Sequence, residues 1–489
     1  MLEVLWSIPE DRSWTSLRHT IQSSIRGFFY RALLLPGVAF ALVVANSNEL
    51  DAQVNAQNVD SRIASAWHEL GDTTLERLTA EALRANNDVR AAQATVRSAR
   101  LARRLTAFDF APTVTVNSGL IRRRLSAAQL PGVAFANREQ DVYDAGFDAS
   151  WELDIFGRSR NTYKAQGAAA SAADEDLRDV QLSLVSELAR TYFELRGAER
   201  QMAVANRNVA NQKRTLQLTV DRLAAGRGTA FDRERASAQV STTLAGVAAT
   251  ESQIAAATYR LEVLVGSAPR VGSLSTDTSD DLDVEDTHRV ALPDAPSFES
   301  VVALVQRRPD VRSAEDRLSS DRSMVDAARA DYLPHLNLVG SVGYNAPNNN
   351  TFGMKESSRF AIGPMLSWQA FNLGRVHTRS EAARANADQT RARRDQTTLV
   401  ARAEVQTSIV SYERAKTSVA LLRDAASSSE RSANLARLRF DGGESGFLEV
   451  LDAQRTLFDA QDRLARAETA AAMAYVALYK ALGGGWSGR

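Results

Sequence analysis

The chain carries one structural unit twice, and that duplication limits which folds it can adopt. SWELDIFGR, starting at Ser150, returns as SWQAFNLGR at Ser367; Gly226 returns as Gly443; and VLVG, closing at Gly266, returns as KALG, closing at Gly483. These pairs share an offset of 217 residues, whereas Asp88-Val89-Arg90 against Asp310-Val311-Arg312, and Pro112 against Pro334, share 222. Five residues are therefore missing from the second half between Pro334 and Ser367. A change confined to one place predicts a shortened surface loop, since loops tolerate deletions that packed elements do not.

Proline placement locates the long elements. No proline occurs between Gly132 and Ala268 or after Pro364, and proline costs about 3 kcal/mol inside a helix. The first tract predicts a long helix over 158–225 and the second its twin over 375–441, each on the order of 100 Å long. Both stop at glycine, in Gly226-Arg227-Gly228 and in Gly442-Gly443, because glycine accepts the left-handed conformation that reverses a chain after a helix. Return helices over 230–266 and 446–482 carry seams spaced by seven: Val240, Val247, Ile254 and Leu261 in one, Val450, Leu457, Leu464, Ala471 and Leu478 in the other. Sustained sevens imply helices wound around neighbours, and a soluble coiled coil would show the same pattern.

Between helices the period changes to two. Ala145, Phe147, Ala149, Trp151, Leu153 and Ile155 alternate with Gly146, Asp148, Ser150, Glu152 and Asp154, so one face of this strand is apolar and the other acidic. A partner from Phe360 sets Ile362, Leu366 and Trp368 against Gly363, Ser367 and Gln369, and preceding strands are readable at 113–120 and 336–344. Each half thus supplies a hairpin, at about 112–155 and 335–371, whose strands of about ten residues match a tilted outer-membrane strand. A soluble sheet could alternate in the same way. Four strands cannot close a spanning barrel, so a membrane role requires several copies to pool their hairpins.

Composition removes whole classes of chemistry. The chain has no cysteine, which excludes disulfides and thiolate sites, and its five histidines are scattered with no i, i+4 pair, so no metal is expected. Lysine plus arginine and aspartate plus glutamate both number 59, which gives no electrostatic case for nucleic acid. Neither a P-loop nor a dinucleotide fingerprint is present, and no cofactor and no catalytic constellation is expected. Aromatics at 7% suit narrow-striped long helices better than a thick core.

Arg12, Arg18, Arg26 and Arg31 precede a mostly apolar run from Ala32 to Ala45, so 1–45 reads as a cleaved signal peptide and export is expected. The first repeat occupies 60–275 and the second 297–486. The acidic stretch TDTSDDLDVED lies within the connector 276–296; it lacks the EF-hand pattern and reads as a solvated linker.

The order helix, hairpin, very long helix, glycine tip and return helix, repeated, resembles the outer-membrane efflux protein family, the TolC-like exit ducts. WHELGDTTLERLTAEALRANNDVRAA from Trp67 resembles the family's amino-terminal helix, and SWELDIFGR its strand-to-helix junction. FLEVLDAQRTLFDAQ from Phe447 and YKALGGGW from Tyr479 resemble the NodT-type branch serving resistance-nodulation-division drug pumps. The resemblance implies a mainly α fold with a transmembrane β-barrel contribution: a homotrimer with twelve strands in one barrel, embedded in outer-membrane lipid, above a coiled-coil tunnel of helices in the periplasm. It further implies a periplasmic adaptor and an inner-membrane pump docking at tips that include Gly226, Arg227, Gly228, Gly442 and Gly443.

By motif match, the resemblance places a periplasmic gate at Glu449, Asp452 and Asp232. Three copies of each carboxylate around an axis would make negative rings that favour cations. Equally, acidic residues in a first helical turn can simply complement the helix dipole. The barrel lumen would be lined by Asp148, Ser150, Glu152 and Asp154, with Phe147, Trp151, Leu153 and Trp368 facing lipid. Many relatives in this branch carry a lipidated amino-terminal cysteine, absent here, so anchoring would fall to the barrel. Some place an arginine at the second tip where this chain has Gly443-Glu444-Ser445, leaving Arg437 or Arg439 to substitute. The expected function is a passive exit duct for drugs or other small molecules; the same architecture could serve type I protein secretion, and a soluble periplasmic adaptor is the reading from another class.

Overall fold

A computed structural model describes residues 67, 70–126, 128, 139–268 and 304–484. The expected signal peptide and connector lie outside these residues. Among the described residues seven α-helices and four strands follow one another: α1 Thr73–Ala85, α2 Asn87–Ala107, β1 Thr113–Arg124, β2 Glu139–Leu153, α3 Arg158–Ala224, α4 Ala230–Val265, α5 Pro309–Ala330, β3 His335–Ala346, β4 Ser358–Ser367, α6 Leu373–Asp441 and α7 Phe447–Ala481. The expected single amino-terminal helix is two helices. Asn86 ends the first and caps the second, its Oδ1 accepting from the amides of Asp88 at 2.8 Å and Val89 at 3.3 Å.

The helices form a row whose order follows from which pairs touch. α3 packs on α4 and α7, and α7 on α6; nearer the sheet, α3 packs on α2 and α5, and α5 on α6. At each level the order is therefore α4 or α2, then α3, then α7 or α5, then α6. Two short helices stack end-on to fill one place, twice. Asn86 Nδ2 donates to the Leu264 carbonyl at 3.0 Å where α4 meets α2, and Arg308 Nη1 donates to the Ala481 carbonyl at 3.0 Å where α7 meets α5. These contacts coincide under the repeat's two offsets, so one clasp has been built twice. It satisfies terminal carbonyls that a helix end otherwise leaves without an intrahelical partner. Gly266 and Gly483, with φ of 86° and 80°, complete the two clasps; a Cβ on Gly266 would stand 2.7 Å from the Ala85 carbonyl oxygen.

Packing is thin, as expected for one layer of helices. Every residue of both heptad seams is buried or half-buried. Trp67 is fully buried, its ring centroid 4.9 Å from that of Tyr479 and 6.4 Å from that of Tyr475. Four acidic residues lie within two turns of α3, and three of them hold its neighbours. Asp174 pairs with Arg100 of α2 at 2.9 Å, Glu175 with Arg312 of α5 at 3.3 Å, and Asp176 with Arg317 of α5 at 2.5 Å. Asp179, the fourth, is pushed above the usual aspartate range by burial and by Asp310.

The sheet is antiparallel in the order β1-β2-β3-β4, so β1 and β4 are open edges. β1 and β2 pair over twelve positions, from Thr113 with Ser150 to Arg124 with Glu139; β3 and β4 pair over ten, from His335 with Ser367 to Tyr344 with Ser358. This corrects the loop expectation. Four of the five missing residues shorten the far end of the second ladder and only one shortens its connection.

Asn86→Ala removes both a cap and a stacking contact and should lower stability by about 1–3 kcal/mol in urea unfolding. Arg308→Met should cost more, because it removes at once the buried donor to the Ala481 carbonyl and the ion pairs to Asp310 and Glu404. For Asp179, the folded state binds the proton more tightly than the unfolded chain, so stability falls as pH rises through the window above 3.8. Asp179→Asn should therefore raise Tm near neutral pH, with the gain fading as pH approaches about 4.

Candidate functional site

Cross-strand register sorts the sheet into two faces. Directly paired residues share a face, so Val114, Val116 and Leu120 stand with Phe147, Trp151 and Leu153, then with Leu336, Leu338 and Val342, then with Phe360, Ile362 and Leu366. Such a continuous apolar face turned to water would be an unusually large hydrophobic patch. From Leu153 to Tyr143 the belt is about 33 Å long along the strand, or about 25 Å after the tilt of a barrel strand. It is bounded at both ends. Beyond Tyr143 the same face carries Arg122, Arg124, Glu139 and Asp141, with Arg122 3.1 Å from Glu139 and Arg124 also paired to Glu139. At the helical end the exposed residues are Phe108, Phe110, Ile155, Phe156, Trp368 and Phe371, an aromatic-rich border of the kind found at membrane interfaces.

The opposite face is polar and hydrogen-bonded across strands. Asp148 accepts from Asn117 at 2.5 Å, and Asp144 from Asn345 at 2.9 Å and from Arg359 at 3.0 Å. Gly146 and Gly343 oppose each other on this face. A Cβ on Gly343 would stand 2.4 Å from the Ala145 carbonyl oxygen, and one on Gly146 2.6 Å from that of Val342. The backbones thus approach closely on the polar side, where neither position has room for a side chain. A polar face is what the inside of a water-filled barrel requires.

Two of the expected barrel residues are not in the sheet. The strand period ends at Leu153, and Asp154 instead caps α3, accepting from the amides of Ser159 at 3.0 Å and Arg160 at 2.8 Å. Trp368 lies just past β4. Its Nε1 donates to the Tyr332 carbonyl at 3.2 Å, as Trp151 Nε1 donates to Phe110 at 3.0 Å, so each indole staples a strand to the end of the preceding helical segment. Asp148, Ser150 and Glu152 lie on the polar face, and Phe147, Trp151 and Leu153 on the apolar one. Glu152 is drawn toward the helices by Arg158, 2.6 Å away.

At the far end, both long helices close with the same turn. Gly226 and Gly443 have φ of 70° and 78°, and the amides of Arg227 and Glu444 return to the carbonyls of Arg222 and Arg439, each at 2.9 Å. Gly228 and Gly442 complete these turns. Asp232 sits in a capping box with Thr229, whose Oγ1 donates to its carboxylate at 2.6 Å. Glu449 is exposed in the first turn of α7, 3.6 Å from Arg439 across the tip, and Asp452 is exposed one turn on. The contact that joins the two tips involves residues the motif match does not single out. The Arg222 guanidinium of α3 lies 4.1 Å from the centroid of the buried Phe440 ring of α6, which in turn lies 5.7 Å from Phe447 of α7. Arginine over an aromatic face is attractive, but no spacing in a single sequence reveals partners more than two hundred residues apart.

Among the described residues no helix is long and apolar enough to cross a membrane, and no group of His, Asp and Glu could hold a metal. The family model described as outer membrane efflux protein matches residues 78–267 and 301–484. The chain is 28% identical to the pyoverdine export outer membrane protein OpmQ of Pseudomonas aeruginosa, covering 87% of this chain and 88% of that protein. It is 27% identical to the cation efflux system protein CusC of Escherichia coli strain K12, covering 85% and 87%. The solved outer-membrane channel OprN superposes with a TM-score of 0.75 at 33% identity, covering 86% of this chain and 92% of that one. With curated relatives that are outer-membrane components of efflux systems, and with its fold shared by a solved outer-membrane channel, the chain belongs to the outer membrane efflux protein family.

Proposed function

We propose that three copies of this chain form a passive duct through which an inner-membrane pump, joined by a periplasmic adaptor, expels its cargo. The carrying observation is a bounded apolar belt on a sheet with two open edges, continuous with a helix row that also has two open edges. The β4 and α6 edge of one copy faces the β1, α2 and α4 edge of the next, and repetition closes a ring. Two copies would give eight strands, an interior that side chains fill; three give twelve and are the smallest number that leaves a lumen. Exposed Leu101 and Leu105 on α2, and Leu399, Leu421 and Leu435 on α6, supply apolar surface for that closure.

Asp148, Ser150 and Glu152 then line the barrel, and Asp232, Glu449 and Asp452 ring the helical tips as a gate. The Arg222–Phe440 contact holds the two tips of each protomer together. Relatives of similar identity are named for pyoverdine, cations and toluene, cargoes with no shared chemistry. That variety supports a duct that conducts whatever the pump delivers, with selection made upstream.

Fractionation and planar-bilayer recording test the duct: a heat-modifiable trimer in the outer membrane with cation-selective conductance is expected, and a soluble pool without conductance contradicts it. Arg222→Ser should raise single-channel conductance several-fold with selectivity kept. Glu449→Ala with Asp452→Ala should raise conductance and weaken cation preference; unchanged values in the double substitution would remove these carboxylates from the gate.

A further inference from the structure

The connection between β3 and β4 rests on the apolar side of the sheet. Tyr143 and Tyr344 both stand on that face, since Tyr143 pairs with Ala346 and Tyr344 with Ala145. The Phe352 ring of the connection packs on both, its centroid 6.4 Å from that of Tyr143 and 6.2 Å from that of Tyr344. To reach β2 in this way the segment must fold back over the end of β3. Ala346, beside both tyrosines on the same face, is fully buried; among the residues of the four strands it alone is buried. On the polar face at the same level, Asp144 bonds instead to Asn345 and Arg359, which belong to the strands themselves.

The segment asks little of water. PNNNTFGMKES, from Pro347, holds one cation and one carboxylate. Asn348 Oδ1 accepts from the Thr351 amide at 3.0 Å and from its hydroxyl at 2.9 Å. The Met354 amide donates to the Thr351 carbonyl at 3.2 Å, and the Ser357 amide and hydroxyl donate to the Met354 carbonyl at 3.1 Å and 2.8 Å. Gly353, with φ of 84°, turns the chain between Phe352 and Met354, so Phe352 meets the tyrosines while Met354 is 50% exposed. Backbone groups satisfied within the chain can approach hydrocarbon where unsatisfied ones cannot, and aromatic residues gather at membrane interfaces.

We propose that Phe352 pins this segment as a strap against the outer leaflet, with Met354 inserted at the lipid interface, and that the segment is not a lid over the exit. Tyr143, Tyr344 and Phe352 then form the outer aromatic border of the belt, opposite the border at its helical end. The partner is the lipid surface itself, because the strap continues a face that already meets hydrocarbon. The inference rests on that reading of the belt.

A chain without cysteine accepts single labels cleanly. The test places a fluorophore at Met354→Cys or at Ile362→Cys in phosphatidylcholine vesicles and compares quenching by nitroxides on the lipid headgroup, by nitroxides on the acyl chain and by aqueous iodide. The label at 354 should be quenched by the headgroup nitroxide and the label at 362 by the acyl-chain nitroxide. Phe352→Ser should cut headgroup quenching at 354 at least threefold and raise iodide quenching there, with the label at 362 unchanged, which shows the barrel intact. A long polyethylene glycol attached at Met354→Cys should leave single-channel conductance unchanged. Quenching at 354 by iodide alone, indifference to Phe352→Ser, or loss of more than half the current on attaching the polymer would each overturn the strap. Failure of lipid nitroxides to quench at 362 as well would overturn the belt and the strap with it, so the two failures are told apart.

Discussion

The structure depends on one constraint: backbone amides and carbonyls cannot be left unpaired in hydrocarbon. Each lone group costs several kcal/mol there, and the chain ends its sheet at β1 and β4 with a row of them on each side. Beside those edges lies an apolar belt of membrane height on one face, and on the other lie Asp144, Asp148 and Arg359. Belt and edges make opposite demands on a single copy. Lipid around the belt satisfies one and violates the other; pairing β4 with the β1 of another copy satisfies both.

The helical half answers a related problem with a different device. A tunnel wall one helix thick has no central core to hold it, so stability must come from seams and joints. The duplicated clasp is such a joint, because it makes two helices of ordinary length run as one. In the first half a neutral asparagine does the work; in the second, Arg308 also engages Asp310 and Glu404. Duplication preserved the geometry while the chemistry drifted, as expected when a helix-end carbonyl needs a donor but not a particular one.

Much of this was legible in the sequence because it rests on period and punctuation. Proline-free tracts located α3 and α6, the glycine tips marked where both end, and the alternation at 145–153 sorted Phe147, Trp151 and Leu153 from Asp148, Ser150 and Glu152. What failed was where the alternation ends: Asp154 continues the pattern by residue type, but the chain has already turned and the carboxylate caps a helix. The split at Asn86 was hidden for a similar reason, since Asn-Asn within a helical pattern gives no length signal. The five-residue deletion reads as a loop because sequence shows where residues are missing, not how a ladder shares the loss. Beyond any single-sequence reading were contacts between distant segments, among them Arg222 with Phe440.

The absence of cysteine makes the edge pairing directly measurable. Within one chain β1 and β4 are three strand spacings apart, about 14 Å, too far for a disulfide, so any bond between cysteines placed on them must join two copies. With Val116→Cys scanned against Ile362→Cys and its neighbours in native outer membranes, oxidation should give a covalent species three chains in size at the correct register. Oxidation that leaves only single chains at every register, or stops at two, would contradict the closed ring on which the account stands.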